Sequence, residues 1–475
     1  MVFSSILGAA FRQKRAFFAL RGLVLRLFLG LATVLCVGSG FAVRSFAQEK
    51  PLLVSGPMLG YVEHRSAAVW CEVSAEANSV ELEYWQEDVP ANRNRVKYTA
   101  DLGNVYNPVR FVLANLALNT QYIYAIYVNG QQQLFPYLTK FRTKDLWEHR
   151  RAAPDFSFLF GSCLYINEPE FDRPGKPYGK DLAILKTMTN QAADFNLWLG
   201  DNTYLREVDY SSVSGMAYRY SHDRAVRELQ PLLCKRPNYA IWDDHDYGFN
   251  DADGSFRFKD DSRKLFQSYW GNPSCGQEGK GIYTSFTYSD AEFFLLDDRF
   301  FRSSDKMKDT DPHKTYWGKE QLAWLENALL TSTATFKFIV NGNEVLNPVE
   351  GGETVHDYPN DYNQLINFIG DNHVQGIIFL SGDRHFSEVI GIQPPRGYKL
   401  YDLCSSPLTA TPYTNLTAQE SANPHRVQGA LYNTGQNFGR VSISGAKGSR
   451  KMMFETLDID GKKQYDFIIS EKDLQ

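Results

Sequence analysis

Residues 195–204 read FNLWLGDNTY, a short apolar run that ends in Gly200-Asp201 and is followed by Tyr204. A short apolar run bounded by glycine is typical of a strand buried on both faces, as in a parallel sheet. Ligands of such sheets bind outside the carboxyl ends of the strands, where Asp201 would emerge. Glycine lets the backbone turn sharply there and lets a reacting group approach closely. Alone, the stretch equally fits a buried strand that ends in a solvated aspartate.

Further apolar runs end in the same way. The runs at 156–160, 239–242, 336–340 and 376–380 are followed by Gly-Ser-Cys, Asp-Asp-His-Asp, Asn-Gly-Asn-Glu and Ser-Gly-Asp-Arg-His. Because these strand ends all carry groups that can bind a metal, the repetition predicts a shared metal site. The candidate ligands are Cys163, Asp201, Tyr204, Asp244, Asn343, Asp383 and His385.

Residues 51–143 show a different pattern of short alternating segments separated by turns. Asn129-Gly130 between two such segments is a strong hairpin signal. The pattern predicts an all-β sandwich with Trp70 and Tyr124 in its core and with no catalytic spacing. Residues 116–122 resemble the corner before the penultimate strand of fibronectin-III-like domains. The predicted strands are 66–73, 79–85, 95–99, 109–113, 121–129 and 133–142.

From residue 155 onward, strands alternate with helical stretches, which indicates a layered α/β domain. We predict helices at 180–193, 214–233, 261–269, 318–330 and 362–371. Further strands are predicted at 288–298, 398–403, 439–444, 452–459 and 464–469. The domain prediction is a signal peptide at 1–47, an N-terminal β-sandwich domain at 48–146 and a catalytic domain at 147–475.

The first 47 residues differ from the rest in charge and hydropathy. Basic residues precede an apolar run at 27–41, and Ser45-Phe46-Ala47 follows as a small-x-small cleavage site. The alternative is an uncleaved membrane anchor, but the run is shorter than the ~20 apolar residues that span a bilayer comfortably. We therefore predict an exported protein, periplasmic, cell-surface or extracellular, without stable membrane insertion after leader cleavage.

The charge balance argues against nucleic acid as a stable partner. The chain carries a formal net charge of −5, and the leader holds six basic and no acidic residues, which leaves residues 48–475 at −11. Affinity for nucleic acid depends on Lys and Arg that neutralise phosphates. Small phosphate esters are the expected partners, and a monomer is expected.

Cysteine number is informative in an exported chain. Beyond Cys36 of the leader, an odd number of cysteines leaves at least one thiol outside any intramolecular pair. Cys163 is the candidate, because it follows a strand in the manner of the other ligands. The remaining cysteines form two disulfides or none: Cys71, Cys234, Cys275 and Cys404.

Cys163 and Tyr204 restrict the kind of metal. A phenol has a reference pKa of about 10 and a thiol of about 8.5, and each binds metal as its anion. A strong Lewis acid such as Fe(III) suits both, and Asp201 would bridge it to a second metal. Two metals ~3.5–4 Å apart serve phosphoryl transfer. The competing interpretations are a packed aromatic for Tyr204, a buried small hydrophobe for Cys163 and a turn residue for Asn343.

Substrate contacts are predicted for His245, Arg299 and Arg302. His245 adjoins Asp244, where an imidazole serves as a leaving-group acid or a phosphate contact, unless it is a core histidine. Arg299 and Arg302 follow an apolar strand, and guanidinium groups suit phosphate oxygens, although surface ion pairs would explain them too. We assign His245 and Arg299 as catalytic, and all three as substrate-binding.

The combined motifs resemble the PhoD-like alkaline phosphatases of the calcineurin-type metallophosphoesterase superfamily. The Trp-Asp-Asp-His and Gly-Asp-Arg-His runs are the specific ones. The sequence departs from the family pattern at Asp297-Asp298-Arg299, where a single aspartate is usual, and at Asp246, where glutamate is usual. In chain order the matching residues are 56–58, 68–70, 161–163, 200–204, 218–220, 229–230, 242–246, 296–299, 302, 321, 324–325, 342–343, 382–387 and 405–408.

The resemblance implies a four-layer α/β/β/α metallophosphatase sandwich preceded by a small fibronectin-III-like β-sandwich domain. It implies hydrolysis of phosphate monoesters and often diesters with Fe3+ and Ca2+. The implied iron ligands are Cys163, Asp201, Tyr204 and either Asp383 or His385. The implied calcium side comprises Asp201, Asp244, Asn343 and Asp383, with His245 and Arg299 on the phosphate.

We therefore predict an exported metal-dependent phosphoric ester hydrolase of the alkaline phosphatase type that uses metal-activated hydroxide. The alternative enzyme is a phosphodiesterase with phospholipase D-like activity at the same site. The non-enzyme alternative is a surface-binding protein with a structural metal.

Overall fold

The computed structural model describes residues 51–349 and 353–475. The predicted signal peptide therefore lies outside the described residues. Within the described ranges, no helix combines the length and the apolar character that crossing a bilayer requires.

Two antiparallel sheets form the N-terminal part and enclose a core that includes Val69, Phe111 and Tyr124. The hydroxyl of Tyr122 accepts a hydrogen bond from the amide of Ala117 (2.8 Å), which ties the predicted corner to the following strand. The first sheet has the order β1 (Leu53–Val62), β2 (Ala67–Val73), β5 (Asn107–Leu113). The second has the order β4 (Arg93–Lys97), β3 (Val80–Gln86), β6 (Gln121–Val128), β7 (Gln131–Gln132), with β8 (Lys140–Arg142) paired to β6.

Strand predictions in this part failed where proline interrupts the pattern. The segment β1 was not predicted, because Gly56-Pro57 interrupts it and both residue types weaken a strand signal. The predicted strand at 133–142 is wrong over most of its length: only β8 forms there. Pro136 lies in the gap and has no N–H to donate to a neighbouring strand.

Two large mixed sheets carry the rest of the chain. The six-stranded sheet has the order β11-β10-β9-β19-β20-β21, with β9 to β11 parallel: β9 (Phe156–Gly161), β10 (Phe195–Leu199), β11 (Asn238–Ile241), β19 (Asn437–Ser444), β20 (Lys451–Asp458), β21 (Lys463–Ser470). The seven-stranded sheet has the order β12-β13-β14-β15-β17-β16-β18, with β13, β14, β15 and β17 parallel: β12 (Thr284–Tyr288), β13 (Ala291–Leu295), β14 (Phe336–Val340), β15 (Ile377–Ser381), β16 (Ser387–Ile392), β17 (Leu400–Cys404), β18 (Arg426–Tyr432).

The two large sheets pack face to face through aromatic rings. Phe158 of β9 meets Phe338 of β14 nearly at a right angle, with ring centroids 5.5 Å apart. The next residue, Ile339, points to the opposite face and packs with Leu325 and Leu365, as the alternation along a strand requires. The helices are α1 (Ala183–Asn190), α2 (Val213–Arg224), α3 (Gln230–Lys235), α4 (Asp244–Tyr247), α5 (Lys259–Tyr269), α6 (Lys319–Thr331), α7 (Pro359–Asp371) and α8 (Ala418–Ser421).

These helices complete the layers. Leu325 of α6 and Leu365 of α7 cover the outer face of the seven-stranded sheet. On the outer face of the six-stranded sheet, Asn196 of β10 donates to the carbonyl of Leu232 in α3. The predicted four-layer α/β/β/α sandwich, preceded by a small β-sandwich, is confirmed. The boundary between residues 146 and 147 stays a prediction.

One predicted helix and one predicted strand each correspond to two elements in the structure. The helix at 214–233 is in fact α2 and α3, separated by residues 225–229; Pro231 lies in the first turn of α3, where its missing N–H breaks no intrahelical hydrogen bond. The strand at 288–298 is β13 together with the end of β12, joined through Ser289 at φ 51°. The described cysteines, which include Cys163, are all free thiols, so none of them forms a disulfide.

Candidate metal centre

The predicted ligands follow strands of both large sheets, at the edge where the parallel strands end. Cys163 follows β9, Asp201 follows β10 and Asp244 opens α4 just after β11. From the other sheet, Asn343 follows β14 and His385 follows β15. Because the sheets stack face to face, their carboxyl ends converge on a single region.

The backbone is strained at this region. Cys163, Asp201, Asp383 and His385 have φ values of 61°, 52°, 66° and 57°, in the left-handed region that side chains other than glycine rarely adopt. Such conformations cost on the order of 1–3 kcal/mol each and cluster at functional sites. Their concentration beside the strand ends marks this edge as functional.

Two glycines permit the close packing of these loops. Gly200 has φ 88°, and a Cβ there would lie 2.6 Å from the Cβ of Asp243. A Cβ at Gly382 would lie 2.3 Å from Oγ of Ser162, which accepts a hydrogen bond from the amide of Asp383 (3.1 Å). Gly200 therefore packs closely against Asp243, while the approach of a reacting group at this glycine stays a prediction.

Asp201 belongs to two groups of potential metal ligands. Ligand atoms of Cys163, Asp201 and His385 lie within 4.8 Å of one another, as do those of Asp201, Asp244 and His245. The hydroxyl of Tyr204 adjoins the first group, 2.9 Å from Oδ2 of Asp201 and 3.5 Å from Nε2 of His385. Two ligand groups that share a carboxylate have the arrangement of a dinuclear site.

The donors of these groups suit a strongly charged cation. Burial, followed by the charge of Asp201, raises the pKa of Cys163 and of Tyr204 well above the usual values. Burial also raises the pKa of Asp201, and Asp244, Asp246 and Asp383 add to this effect. A bound cation would reverse each effect, because it stabilises the anion of every donor. The residues present therefore fit a metal of high charge.

His385 is oriented by the backbone. Its Nδ1 donates to the carbonyl of Thr411 (2.7 Å), which leaves Nε2 directed towards Tyr204. Burial lowers the pKa of His385 to about 4, so the ring is neutral, as a ligand imidazole must be. A second hydrogen bond that fixes the tautomer is the usual support of a metal-binding histidine.

Within the run Asp243-Asp244-His245-Asp246, two aspartates cap helix α4 and the other two residues do not. Asp243 is the N-cap of α4, accepting from the amide of Asp244 (2.9 Å). Asp246 completes a capping box by accepting from the amide of Asp243 (3.1 Å), and it also binds the amide of Asn202. Asp244 and His245 are left free to face the strand ends. Asp246, which departs from the family pattern, therefore supports the loop of Asp201.

The ring of His245 stacks on Tyr204, with centroids 4.3 Å apart. Its Nε2 lies 3.9 Å from Oδ2 of Asp244, and its side chain remains 24% exposed. Burial lowers the pKa of His245, against the opposing effect of Asp244, so the imidazole is neutral. It can therefore donate or accept one proton towards a group in front of it.

Arg299 lies beneath the site rather than on its surface. It is fully buried; its Nε donates to Oδ1 of Asp243 (2.7 Å) and its Nη2 to Oε2 of Glu353 (2.6 Å). Arg302 donates to Glu353 (3.1 Å) and to Oδ1 of Asn343 (2.8 Å). The same oxygen of Asn343 accepts from the hydroxyl of Tyr316 (2.6 Å). These side chains form one hydrogen-bonded network.

Glu353 and Asp251 were missed by the sequence reasoning. With Asp244 they form a third group whose ligand atoms lie within 4.8 Å of one another. Burial acts to raise the pKa of Glu353, but Arg299 and Arg302 outweigh it and hold the pKa below the usual range. Both missed residues lie in loops away from the strand ends, so no periodicity marks them.

A cavity of about 610 Å³ opens above these groups. Its wall includes Asp201, Asp244, His245, Arg302, Asp383 and His385. Asp383 thus faces the cavity, while its backbone carbonyl lies 3.6 Å from Sγ of Cys163. Another cavity, of about 590 Å³, has none of the candidate ligands in its wall.

Solved phosphatase structures share this architecture. A structure described as that of PhoD matches with a TM-score of 0.71 and 17% identity, covering 88% of this chain and 90% of that chain. Purple acid phosphatase PPD1 from yellow lupin (Lupinus luteus) seeds matches with a TM-score of 0.62 and 13% identity, covering 87% of this chain and 74% of that one. The fold class is therefore that of these phosphatases.

The sequence defines the family more closely. The family model described as PhoD-like phosphatase matches residues 174–454, so this chain belongs to the PhoD-like phosphatase family. Residues 50–145 match a separate model, described as a domain of unknown function (DUF7800). Alkaline phosphatase D of Bacillus subtilis (strain 168) is 25% identical over 294 residues, which are 52% of this chain and 48% of that protein. The chain thus spans about half the length of this curated relative.

Proposed function

We propose that this chain is an exported, metal-dependent phosphoric ester hydrolase of the alkaline phosphatase type. The observation that carries the proposal is the pair of ligand groups that share Asp201 beneath a cavity, in a member of the PhoD-like phosphatase family. The relative from Bacillus subtilis is an alkaline phosphatase. Small phosphate esters are the proposed substrates, and export rests on the predicted leader.

For the metals, we propose Fe3+ at Cys163, Asp201, Tyr204 and His385, with Asp383 as the alternative to His385. Ca2+ is proposed on the side of Asp201, Asp244, Asn343 and Asp383, because carboxylate and amide oxygens are its preferred ligands. To take part, Asn343 would exchange the hydrogen bonds of its amide oxygen with Arg302 and Tyr316 for the ion. Ions held there would supply Lewis-acid activation of water and of the phosphoryl oxygens.

The chain's own residues would divide the remaining work. Arg302 faces the cavity and offers its guanidinium to a phosphate oxygen, while Arg299 supports that position from below through Asp243 and Glu353. His245, neutral and partly exposed, is within the cavity wall and would donate a hydrogen bond from its N–H to the leaving oxygen.

A phosphodiesterase with phospholipase D-like activity is the second candidate. The cavity of about 610 Å³ favours it, because a diester needs room for two substituents. Comparing the kcat/KM for nitrophenyl phosphate with that for bis-nitrophenyl phosphate separates the two activities. Absence of turnover with both esters would overturn a phosphoesterase altogether and favour the surface-binding alternative.

Metal analysis with an absorption spectrum tests the assignment of iron. We expect iron in the purified protein and a visible tyrosinate-to-iron band that disappears in Tyr204→Phe. Tyr165→Phe is the matched control, because the Tyr165 ring lies 4.9 Å from that of Tyr204 but its hydroxyl donates to Asp172. A colourless, iron-free and active enzyme would exclude iron while leaving a metal-dependent hydrolase.

A further inference from the structure

Two exposed tyrosines border the cavity that holds the candidate metal ligands. Tyr178 is 42% exposed and Tyr413 is 58% exposed, and both lie in its wall with Phe386 and Leu416. These four residues are here called the aromatic wall. Phe386 is buried and Leu416 partly exposed, so the exposed surface of the aromatic wall is that of the two tyrosine rings. Single exposed apolar side chains are ordinary, but two exposed rings in the wall of one polar cavity form a surface on which a ligand can lie.

The aromatic wall is fixed to a predicted metal ligand. The hydroxyl of Tyr178 lies 3.4 Å from Nδ1 of His385, and the two rings are 5.8 Å apart. The amide of Tyr413 donates to the carbonyl of His385 (2.9 Å). Thr411 links both sides, since its hydroxyl donates to the carbonyl of Tyr178 and its own carbonyl accepts from His385. A group bound beside His385 would therefore extend directly onto these rings.

Charged groups line the rest of the cavity. They include Asp251, Asp305, Asp309 and Asp357, of which Asp305 is paired with Arg302 (2.8 Å) and Asp309 with Lys314 (2.7 Å). An uncharged planar substituent makes no favourable contact with carboxylates, whereas it can stack on tyrosine rings. The aromatic wall is thus the side on which the organic part of an ester would lie.

We infer that Tyr178 and Tyr413 bind the substituent of the substrate and select phosphate esters whose substituent carries a planar ring, such as an aryl group or a nucleoside. This inference rests on the proposed function. It adds two specificity-determining residues that touch the substituent and not the phosphate. Stacking of a planar ring on an aromatic side chain contributes roughly 1–3 kcal/mol, which corresponds to about 5- to 150-fold in affinity.

The test compares the binding of phenylphosphonate and methylphosphonate to the purified metal-containing protein by titration calorimetry. The two anions carry the same phosphonate group and differ only in the ring, and neither needs turnover. We expect phenylphosphonate to bind about tenfold more tightly to the unchanged protein. In the double variant Tyr178→Ala, Tyr413→Ala, this ratio should fall to about one, with the Kd of methylphosphonate changed less than about twofold.

Two controls separate stacking from other effects. Tyr178→Phe removes the hydroxyl near His385 but keeps the ring, so it should retain the tenfold ratio. Leu134→Ala, at a residue that is 84% exposed and absent from the cavity wall, should match the unchanged protein.

Each contrary outcome has a distinct meaning. If inorganic phosphate and methylphosphonate bind but the ring adds no affinity, or if the double variant keeps the tenfold ratio, the role of the aromatic wall is refuted and the phosphatase proposal stands. If neither phosphonate nor phosphate binds, the proposed function itself fails, and the inference fails with it.

Discussion

Two neighbouring sets of side chains under the cavity differ in charge balance: the first has an excess of acidic groups, and the second pairs its carboxylates with arginines. The Asp201 group comprises Cys163, Asp201, Tyr204 and His385; the arginine network comprises Asp243, Arg299, Arg302, Asn343 and Glu353. In the first, burial and nearby carboxylates raise the pKa of Asp201, so the group gains if a cation binds. In the second, Arg299 is fully buried yet paired with Asp243 and Glu353 at 2.7 and 2.6 Å.

This difference teaches what each set contributes. Buried charges persist in proteins when they are paired or bind metal. The arginine network meets that condition with its own residues and can be rigid before anything binds. The Asp201 group does not, so it depends on an ion from solution. Substitutions in the first set should therefore affect chemistry most, and substitutions in the second should affect stability as well.

The largest effect is expected from Asp201→Asn. Removal of the carboxylate shared by two ligand groups should lower the hydrolysis of nitrophenyl phosphate by about 10³-fold or more, the scale of losing a preorganised electrostatic contact. The melting temperature of the metal-free protein should be unchanged or higher, because the substitution removes a carboxyl group that is buried beside other carboxylates. Asp145→Asn, at a partly exposed surface ion pair, is the matched control and should retain activity. Activity of Asp201→Asn within tenfold of the unchanged enzyme would refute the shared-ligand role.

Glu353→Gln should lower both stability and activity. Loss of the buried partner of Arg299 and Arg302 should reduce the free energy of unfolding by about 3 kcal/mol. The kcat/KM should fall about 10- to 100-fold, as for other residues that support a metal site. Chemical denaturation and steady-state kinetics measure the two quantities. An effect on neither would mean that the arginine network does not hold the site.

Metal removal should make stability depend on pH. Burial raises the pKa of Asp383 from 3.8 to about 7, so between these values the folded state binds more protons than the unfolded state. The unfolding free energy of the metal-free protein should therefore fall as pH rises from about 4 to about 7, by up to about 1.4 kcal/mol per pH unit for this group. Glu353, whose pKa is lowered, titrates below this interval.

Denaturation at several pH values, with and without chelator, measures this slope. Asp383→Asn should reduce the slope by the share of this group in the metal-free protein, because Asp201 and Asp246 also have raised pKa values and keep their own shares. Bound metal should flatten the slope in the unchanged protein. A slope of opposite sign between pH 4 and 7 would contradict the raised pKa.

The smallest effect is expected from Asp305→Asn. Asp305 also pairs with Arg302 (2.8 Å), but its side chain is 42% exposed, and such ion pairs contribute about 0–1 kcal/mol. The unfolding free energy should change by less than about 1 kcal/mol and the kcat/KM by less than about threefold. Asp305→Asn and Glu353→Gln thus each remove an acidic partner of Arg302, but Asp305 is the more exposed of the two partners. Equal losses in the two variants would show that burial does not determine the strength of this network.

Strand ends were the most predictable feature of the site. The runs that lead to Asp201 and Asp244 are mostly apolar, so their burial and direction follow from local pattern, and the four-layer fold was predicted with them. The loops were less predictable. Glu353 lies in an irregular segment, and Thr411 acts through its backbone carbonyl, which any residue possesses. Pro231 is a signal for a new helix start, but the helical periodicity on both sides of it led to the prediction of one helix at 214–233.

The sequence alone determined which chemistry the protein can hold, because thiol, phenol, imidazole and carboxylate groups at the ends of apolar strands are properties of residue type and local order. Only the tertiary structure decided how those groups are arranged. Asp201 belongs to two ligand groups, and Asp243 accepts a hydrogen bond from Arg299. Arg299 lies beneath the cavity, whereas Arg302 lines it. The physical reason is distance along the chain. Charges from loops far apart in sequence balance one another only after the two sheets have packed and brought their strand ends together.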